Sequence, residues 1–319
     1  MSIRSIRGAK ARRFTAEESR RTSSIRGLRR VGVIAALGLA TAISVAPSDG
    51  AAQGRPSTQA SSGLASLGLA RQLASCHAPT IHRPTVVLVH GAWAGTSSWD
   101  GELQKLQAAG YTVRVIGNPL LGLRTDAATV RDFLKTISGP IVLIGHSYGG
   151  SVITNAAAGL PNVKALVYVD AAAPAVGETT GQLSGSTSAL NGSPSALFDM
   201  VPYPGAPSGA TDLYLKKYIF VHDFANDLPR QTALRLWASQ RAASTLAFSK
   251  PTRVAAWKTI PSWYFISTGD KIITPASELS MAQRAHSKIT IFQGGSHVTL
   301  ISHPAAVTRV IGSAICSVR

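Results

Sequence analysis

The sequence predicts an α/β fold: a mostly parallel sheet with helices on both faces and a helical cap inserted between core strands. Three observations carry this. Between residues 85 and 169, short continuous apolar runs alternate with segments of helical period, and the alternation resumes after residue 261. The runs are apolar throughout rather than every second residue, which marks strands buried on both faces, as in parallel sheets. From about 171 to 259 the pattern breaks into a Gly/Ser/Pro-rich stretch followed by helix-like sequence. An insertion leaving the C-terminal edge of such a sheet overhangs the place where open α/β sheets bind ligands.

The elements follow in order. Thr85-Val86-Val87-Leu88-Val89 is a buried strand. Residues 99–109 read as a helix stopped by Gly110. Residues 111–116 form a second strand. Residues 125–137 form a helix with Ala128, Phe133, Leu134 and Ile137 as apolar positions. Pro140 to Ile144 is a third strand, running straight into Gly145-His146-Ser147-Tyr148-Gly149-Gly150 and a helix-like run from Ser151. Residues 163–169 form the fourth strand. Within the insertion, residues 228–247 read as a helix. Residues 261–267 are a fifth strand, 275–286 a helix, 288–292 a sixth strand and 304–315 the last helix.

Ahead of this domain lie segments of another character. Residues 1–30 hold ten Lys/Arg and two Glu, which accounts for +8 of the net +17. Arg29-Arg30 is followed by the apolar run VGVIAALGLATAISV and then by small residues near Ala52. Basic, apolar and small-residue zones in that order predict a signal peptide over 1–52, of general or twin-arginine type, and hence a secreted or periplasmic protein. The run is too short for a stable membrane anchor. Residues 53–75 read as a flexible linker and 76–319 as the folded domain. The remaining positive charge is scattered, without a basic helix or interleaved aromatics, so no nucleic-acid partner is expected. The two cysteines, Cys76 and Cys316, sit at opposite ends of the domain; in an exported protein they are expected to pair. The eight histidines do not cluster with cysteines or carboxylates, so no metal site is expected.

The segment around Ser147 fits the G-x-S-x-G nucleophile elbow, a sharp strand-to-helix turn that exposes a serine hydroxyl at the sheet edge. A serine needs a base, an acid to orient that base, and donors for the oxyanion. His297, after the sixth strand, reaches the same edge and is the expected base. Asp270, after the fifth strand, is the expected acid; Asp170, ending the fourth, is its rival or else a turn residue. The oxyanion donors are expected to be the backbone N–H groups of Tyr148 and Ala92. His90 shapes the loop that carries Ala92, His146 points away from the serine, and His303 caps the last helix. Trp93 is expected near the substrate. Tyr203, Tyr214, Tyr218, Phe220, Phe224 and Trp237 are each read first as the cap's own core, and His222-Asp223 as cap structure.

VLVHGAW with Trp99, GHSYGG, STGDKIITP and GGSHVTLISHP resemble the α/β-hydrolase superfamily over about residues 80–315. Small carboxylesterases, plant methylesterases and hydroxynitrile lyases form the most similar branch. The resemblance implies the roles reached above for Ser147, Asp270, His297, Ala92 and Tyr148. Hydroxynitrile lyases carry Thr where this chain has Gly91 and a cyanide-holding Lys where it has Val298, which argues against lyase chemistry. Haloalkane dehalogenases and epoxide hydrolases carry Asp in place of Ser147. The expectation is a cofactor-free serine hydrolase acting on a small-molecule ester. The alternatives are perhydrolysis, amide or lactone cleavage on the same triad, or a non-catalytic ligand-binding homologue.

Overall fold

In the computed structural model the described residues are 83–318 together with Gly68, Leu73 and Cys76. The expected signal peptide and most of the expected linker lie outside them. The chain runs β1 (Thr85–Val89), α1 (Asp100–Ala108), β2 (Val113–Ile116), α2 (Leu123–Lys135), β3 (Ile141–His146), α3 (Tyr148–Ala156) and β4 (Val163–Val169). The insertion holds β5 (Phe198–Val201), β6 (Asp212–Leu215), α4 (Arg230–Ala238) and β7 (Ala243–Ser244), besides shorter helical turns. The core then resumes with β8 (Ser262–Ser267), α5 (Pro275–Arg284), β9 (Lys288–Phe292) and α6 (Pro304–Ile315).

The six core strands form one parallel sheet in the order β2-β1-β3-β4-β8-β9. Strand β3 is buried at every position, as are β8 and all of β1 but its first residue. Each fully buried Val, Leu or Ile there contributes roughly 1.5–3 kcal/mol relative to exposure. The helices show why they cover the sheet. In α2, Leu123, Ala127, Val130 and Leu134 recur at helical spacing and are buried, while the opposite face is polar. Pro275 and Pro304 open α5 and α6, where a missing N–H costs nothing.

Register decides where the loops emerge. Val89 pairs with Gly145, His146 with Val169, Val169 with Phe265 and Ser267 with Phe292. The loops after β1, β3, β4, β8 and β9 therefore leave the sheet at one edge.

The insertion differs from the helical reading in part. It contains short helices, but β5, β6 and β7 also form a three-stranded antiparallel sheet. The expected helix over 228–247 stops at Ala238. Gln240 accepts the Leu215 N–H at 2.9 Å and donates to the Leu215 carbonyl at 3.0 Å. That side chain draws the chain onto β6, competing with another helical turn.

Cys76 and Cys316 are bonded, with Cα atoms 4.9 Å apart. Leu73, in the expected linker, is buried, and its carbonyl accepts the Tyr111 hydroxyl at 2.7 Å. Packing thus reaches back past Cys76. Among the described residues no helix is long and apolar enough to cross a membrane.

Candidate active site

Ser147 stands between β3 and α3 with φ 53° and ψ −127°, a conformation few non-glycine residues adopt. Close packing on both sides holds it there. A Cβ on Gly145 would lie 2.6 Å from the Gly149 carbonyl, and one on Gly149 would lie 2.6 Å from the Val89 carbonyl. Strand, helix and the neighbouring strand end approach too closely for any side chain at either position. Gly91 is equally constrained: its Cβ would sit 2.5 Å from that of Ser147.

The His297 ring lies between Ser147 and Asp270. Its Nε2 is 2.7 Å from Ser147 Oγ and its Nδ1 is 2.6 Å from Asp270 Oδ2. The other Asp270 oxygen accepts the N–H groups of Ile272 (2.7 Å) and Ile273 (3.1 Å). With a carboxylate on one side and a hydroxyl on the other, the neutral ring carries its proton on Nδ1 and presents Nε2 as acceptor. Burial pushes the His297 pKa down to about 3, so the free-base form is the resting form.

The two candidate acids separate cleanly. Asp170 does not touch a histidine; it accepts the Ser267 N–H (2.8 Å) and hydroxyl (3.0 Å), tying the end of β4 to that of β8. His90 donates from Nδ1 to the Gly91 carbonyl at 2.8 Å, and its Nε2 accepts the Asn118 N–H at 3.0 Å. Burial, and to a lesser degree Arg241, lower its pKa to about 4, so it stays neutral and braces the loop after β1. The N–H groups of Ala92 and Tyr148, both buried, have no acceptor among the described residues. Tyr148 opens α3, where an N–H has no intrahelical partner.

Trp93 lines a cavity of about 190 Å³ that also reaches Ser147 and Tyr148. The Trp93 ring is stacked between Phe198 (5.7 Å) and Phe248 (5.3 Å), with Nε1 bonded to the Leu213 carbonyl. Leu190, Leu213, Ile272 and Ile273 complete the apolar lining, and no charged side chain takes part. The hydroxyls are already engaged: that of Tyr148 donates to Asp126, that of Thr180 to Ser151, and that of Ser184 to the Gly181 carbonyl, while Asn191, also in the lining, donates its amide nitrogen to the Gly185 and Ser186 carbonyls. A larger cavity of about 690 Å³, between α2 and the segment near Lys250, contains none of these site residues.

None of the six cap aromatics weighed in the sequence lines the Ser147 cavity. Phe224 instead packs on the His297 ring at 5.1 Å. Phe198 and Phe248 were missed, because the cap's fold could not be inferred residue by residue. Three supporting residues were missed as well. His146 Nε2 donates to the His297 carbonyl at 2.7 Å. Asp126 accepts the Tyr148 hydroxyl at 2.7 Å and the Leu121 and Gly122 N–H groups. Asp227, from the cap, accepts the hydroxyls of Ser296 and Ser302 on either side of His297. Neighbourhood to the elbow was a signal for His146; nothing in the sequence pointed to Asp227. His303 is the N-cap residue of α6, as expected, with its carbonyl accepting the Ala306 N–H at 2.9 Å; its side chain makes no capping bond and lies 3.9 Å from Asp227. Lys271 binds the His222 carbonyl and the Asp223 carboxylate, which makes that pair part of the cap's attachment.

Comparison with known proteins agrees with this architecture. An alpha/beta hydrolase from Aspergillus novofumigatus, nvfD, is 28% identical over 259 residues, covering 73% of this chain and 96% of its own. A carbendazim hydrolyzing esterase from a Nocardioides species is 36% identical over 106 residues, 29% of this chain and 44% of its own. Among solved structures, an extracellular alpha/beta-hydrolase from a Paenibacillus species superposes with a TM-score of 0.59 at 22% identity, covering 72% of this chain and 98% of its own. The profile of the alpha/beta hydrolase family matches residues 86–310, which include Ser147, Asp270 and His297, and the chain belongs to that family.

Proposed function

We propose that this chain is an exported serine carboxylic ester hydrolase working through an acyl-enzyme. The observation that carries the reading is the continuous hydrogen-bond chain from Ser147 through His297 to Asp270, with the N–H groups of Ala92 and Tyr148 left without an acceptor among the described residues. Ser147 Oγ attacks the ester carbonyl as His297 Nε2 takes its proton. Asp270 holds the ring by its Nδ1–H and stabilises the imidazolium that forms. The carbonyl oxygen becomes an oxyanion and accepts from the Ala92 and Tyr148 N–H groups. His297 passes its proton to the leaving alcohol. Water, deprotonated by the same ring, then attacks the acyl carbonyl and regenerates Ser147.

The cavity supports an ester whose buried part is a small, uncharged hydrocarbon group, since its walls offer no charge and its hydroxyls are engaged within the protein. The Nocardioides relative is named an esterase, in keeping with this reading. Export is supported by the Arg29-Arg30 leader pattern and by the Cys76–Cys316 bond, which suits an oxidising compartment.

The deciding experiment is covalent labelling with a fluorophosphonate alongside aryl-ester hydrolysis. Ser147 takes the label in the folded protein, and Ser147→Ala abolishes both signals while folding normally. A Ser147→Ala protein with full esterase activity refutes the mechanism. Fusing residues 1–75 to a reporter active only outside the cytoplasm tests export separately.

A further inference from the structure

A third carboxyl group lies behind the Asp270 and Asp170 pair. Glu278, in the first turn of α5, is fully buried, and neither of its side-chain oxygens accepts a hydrogen bond from any N–H or hydroxyl group. Oxygens of Glu278, Asp170 and Asp270 all fall within 4.8 Å of one another. The groups around the cluster come from several elements. Ser267 on β8 donates to Asp170, while Ile272, Ile273 and His297 donate to Asp270. Tyr264, also on β8, directs its hydroxyl to the Ala171 carbonyl, and Asp227 adds further negative charge near Asp170. No lysine or arginine forms an ion pair with any of the three among the described residues.

Three carboxylates this close in a dry interior cannot all be charged. The proton settles where the anion is least supported. Asp270 has three donors and Asp170 two, whereas Glu278 has none. Resting on the triad assignment above, we propose that Glu278 is a positioning residue: it stays a neutral carboxylic acid and serves as the proton donor to the Asp170–Asp270 pair, leaving Asp270 free to be the anion that orients His297. Burial pushes the proton affinity of all three carboxyls upward, but hydrogen bonds oppose that shift at Asp170 and Asp270 and none does at Glu278. The cluster titrates as a unit, so its loss of function at low pH belongs to the group rather than to one residue.

Gln and Leu at position 278 separate this role from space filling. Both fill the site, but only Gln keeps an uncharged donor. Glu278→Leu is expected to lower kcat/KM about ten- to a hundred-fold, the effect of losing one hydrogen bond to a charged group, and to move the acid limb of the pH profile upward. Glu278→Gln restores both to near the wild-type values. Equal impairment in the two variants, or a Leu variant with wild-type kinetics and pH profile, overturns the proposal. A second measurement does not depend on activity or on the Leu variant folding. The wild-type minus Glu278→Gln infrared difference spectrum at pH 8 is expected to show one buried carboxylic-acid carbonyl stretch, beyond the band that Glu102, also buried with both oxygens unpartnered, supplies to both proteins. Its absence from that difference spectrum, or a stoichiometric divalent cation in the purified protein, overturns the proposal. If fluorophosphonate fails to label Ser147, the ester-hydrolase reading fails instead, whatever the infrared band shows.

Discussion

The dimensions of the cavity at Ser147 set a length limit on the acyl chain. Each methylene moved from water into an apolar site is worth about 0.8 kcal/mol, or roughly fourfold in kcat/KM. A dry cavity of about 150 Å³ holds one benzene ring, and this one measures about 190 Å³. Along a series of p-nitrophenyl alkanoates, kcat/KM is therefore expected to climb about fourfold per carbon to a chain of roughly six or seven carbons, then level off or fall. Phe248 forms one wall and stacks on Trp93 at 5.3 Å. Phe248→Ala should move the break to longer chains and lower activity on the shortest, which lose a packing surface. Replacing the terminal methyl by a carboxylate should cost at least about a hundredfold, because a buried charge there has no partner. The assay is initial-rate hydrolysis over the series for both proteins. A profile still rising at ten carbons, or a succinyl ester cleaved as well as a butyrate, refutes the assignment of this cavity to the acyl group.

Three further outcomes are expected. Asp270→Asn should lower kcat about 10³- to 10⁴-fold by stabilising the wrong His297 tautomer, while Asp170→Asn should cost mainly stability, about 1–3 kcal/mol in chemical denaturation; the reverse ranking would reassign the acid. Burial lowers the His297 pKa, so the ring should add no acid limb at its ordinary value of about 6.5, and the limb that appears should be the one set by the Asp170, Asp270 and Glu278 cluster; a limb at about 6.5 that is the same in the wild type and Glu278→Leu would show a solvated ring. The Cys76–Cys316 bond spans 240 residues, for which loop entropy gives about 5 kcal/mol. The double Ser variant should then melt roughly 10–20 °C lower with kcat/KM at 25 °C little changed; an unaltered Tm would show that the bond does not constrain the unfolded chain.

The core was legible because its signals are local. Apolar runs at 85–89, 141–144 and 163–169 read as strands on their own, and parallel order then puts Ser147, Asp270 and His297 at one edge whatever the loops do. The choice of Asp270 over Asp170 needed more, since each follows a core strand. It rests on chain geometry at β8, where Ile272 and Ile273 turn back to hold the carboxylate toward His297. The cap was illegible for the opposite reason. Its short strands pair across gaps of sequence, and its helix ends where a side chain, Gln240, satisfies another strand's backbone. Phe198 reaches the cavity through that pairing, and Phe248 from the helical turn that follows β7. Asp227 likewise meets the His297 loop from a distance no sequence period encodes.

Backbone strain shows how the site is kept ready. Five non-glycine residues among those described have positive φ, and three of them, Trp93, Ser147 and Asp170, directly follow or closely trail the ends of β1, β3 and β4. Such conformations cost about 1–3 kcal/mol each and persist only when their surroundings dictate them. Here the three strands are neighbours in a fully paired parallel sheet, so none can relax without breaking its ladder. Each strained residue is also pinned by a hydrogen bond from its own N–H. Trp93 is held by the Arg241 carbonyl, the Ser147 N–H by the carbonyls of Val169 and Asp170, and the Asp170 N–H by the Phe265 carbonyl. For Ser147 and Asp170 the strain at one strand end is thus fixed by contacts from the next, and for Trp93 by the cap. It follows that loosening β4, which carries no acting group, should disturb the Ser147 elbow as surely as a change in β3. A cavity-forming Val169→Ala, beside His146 in the sheet register, is the substitution that tests this. It is expected to lower kcat more than its loss of about 1–2 kcal/mol of burial would suggest for a remote core site. If kcat is unchanged at full folding, the elbow is held by β3 and α3 alone.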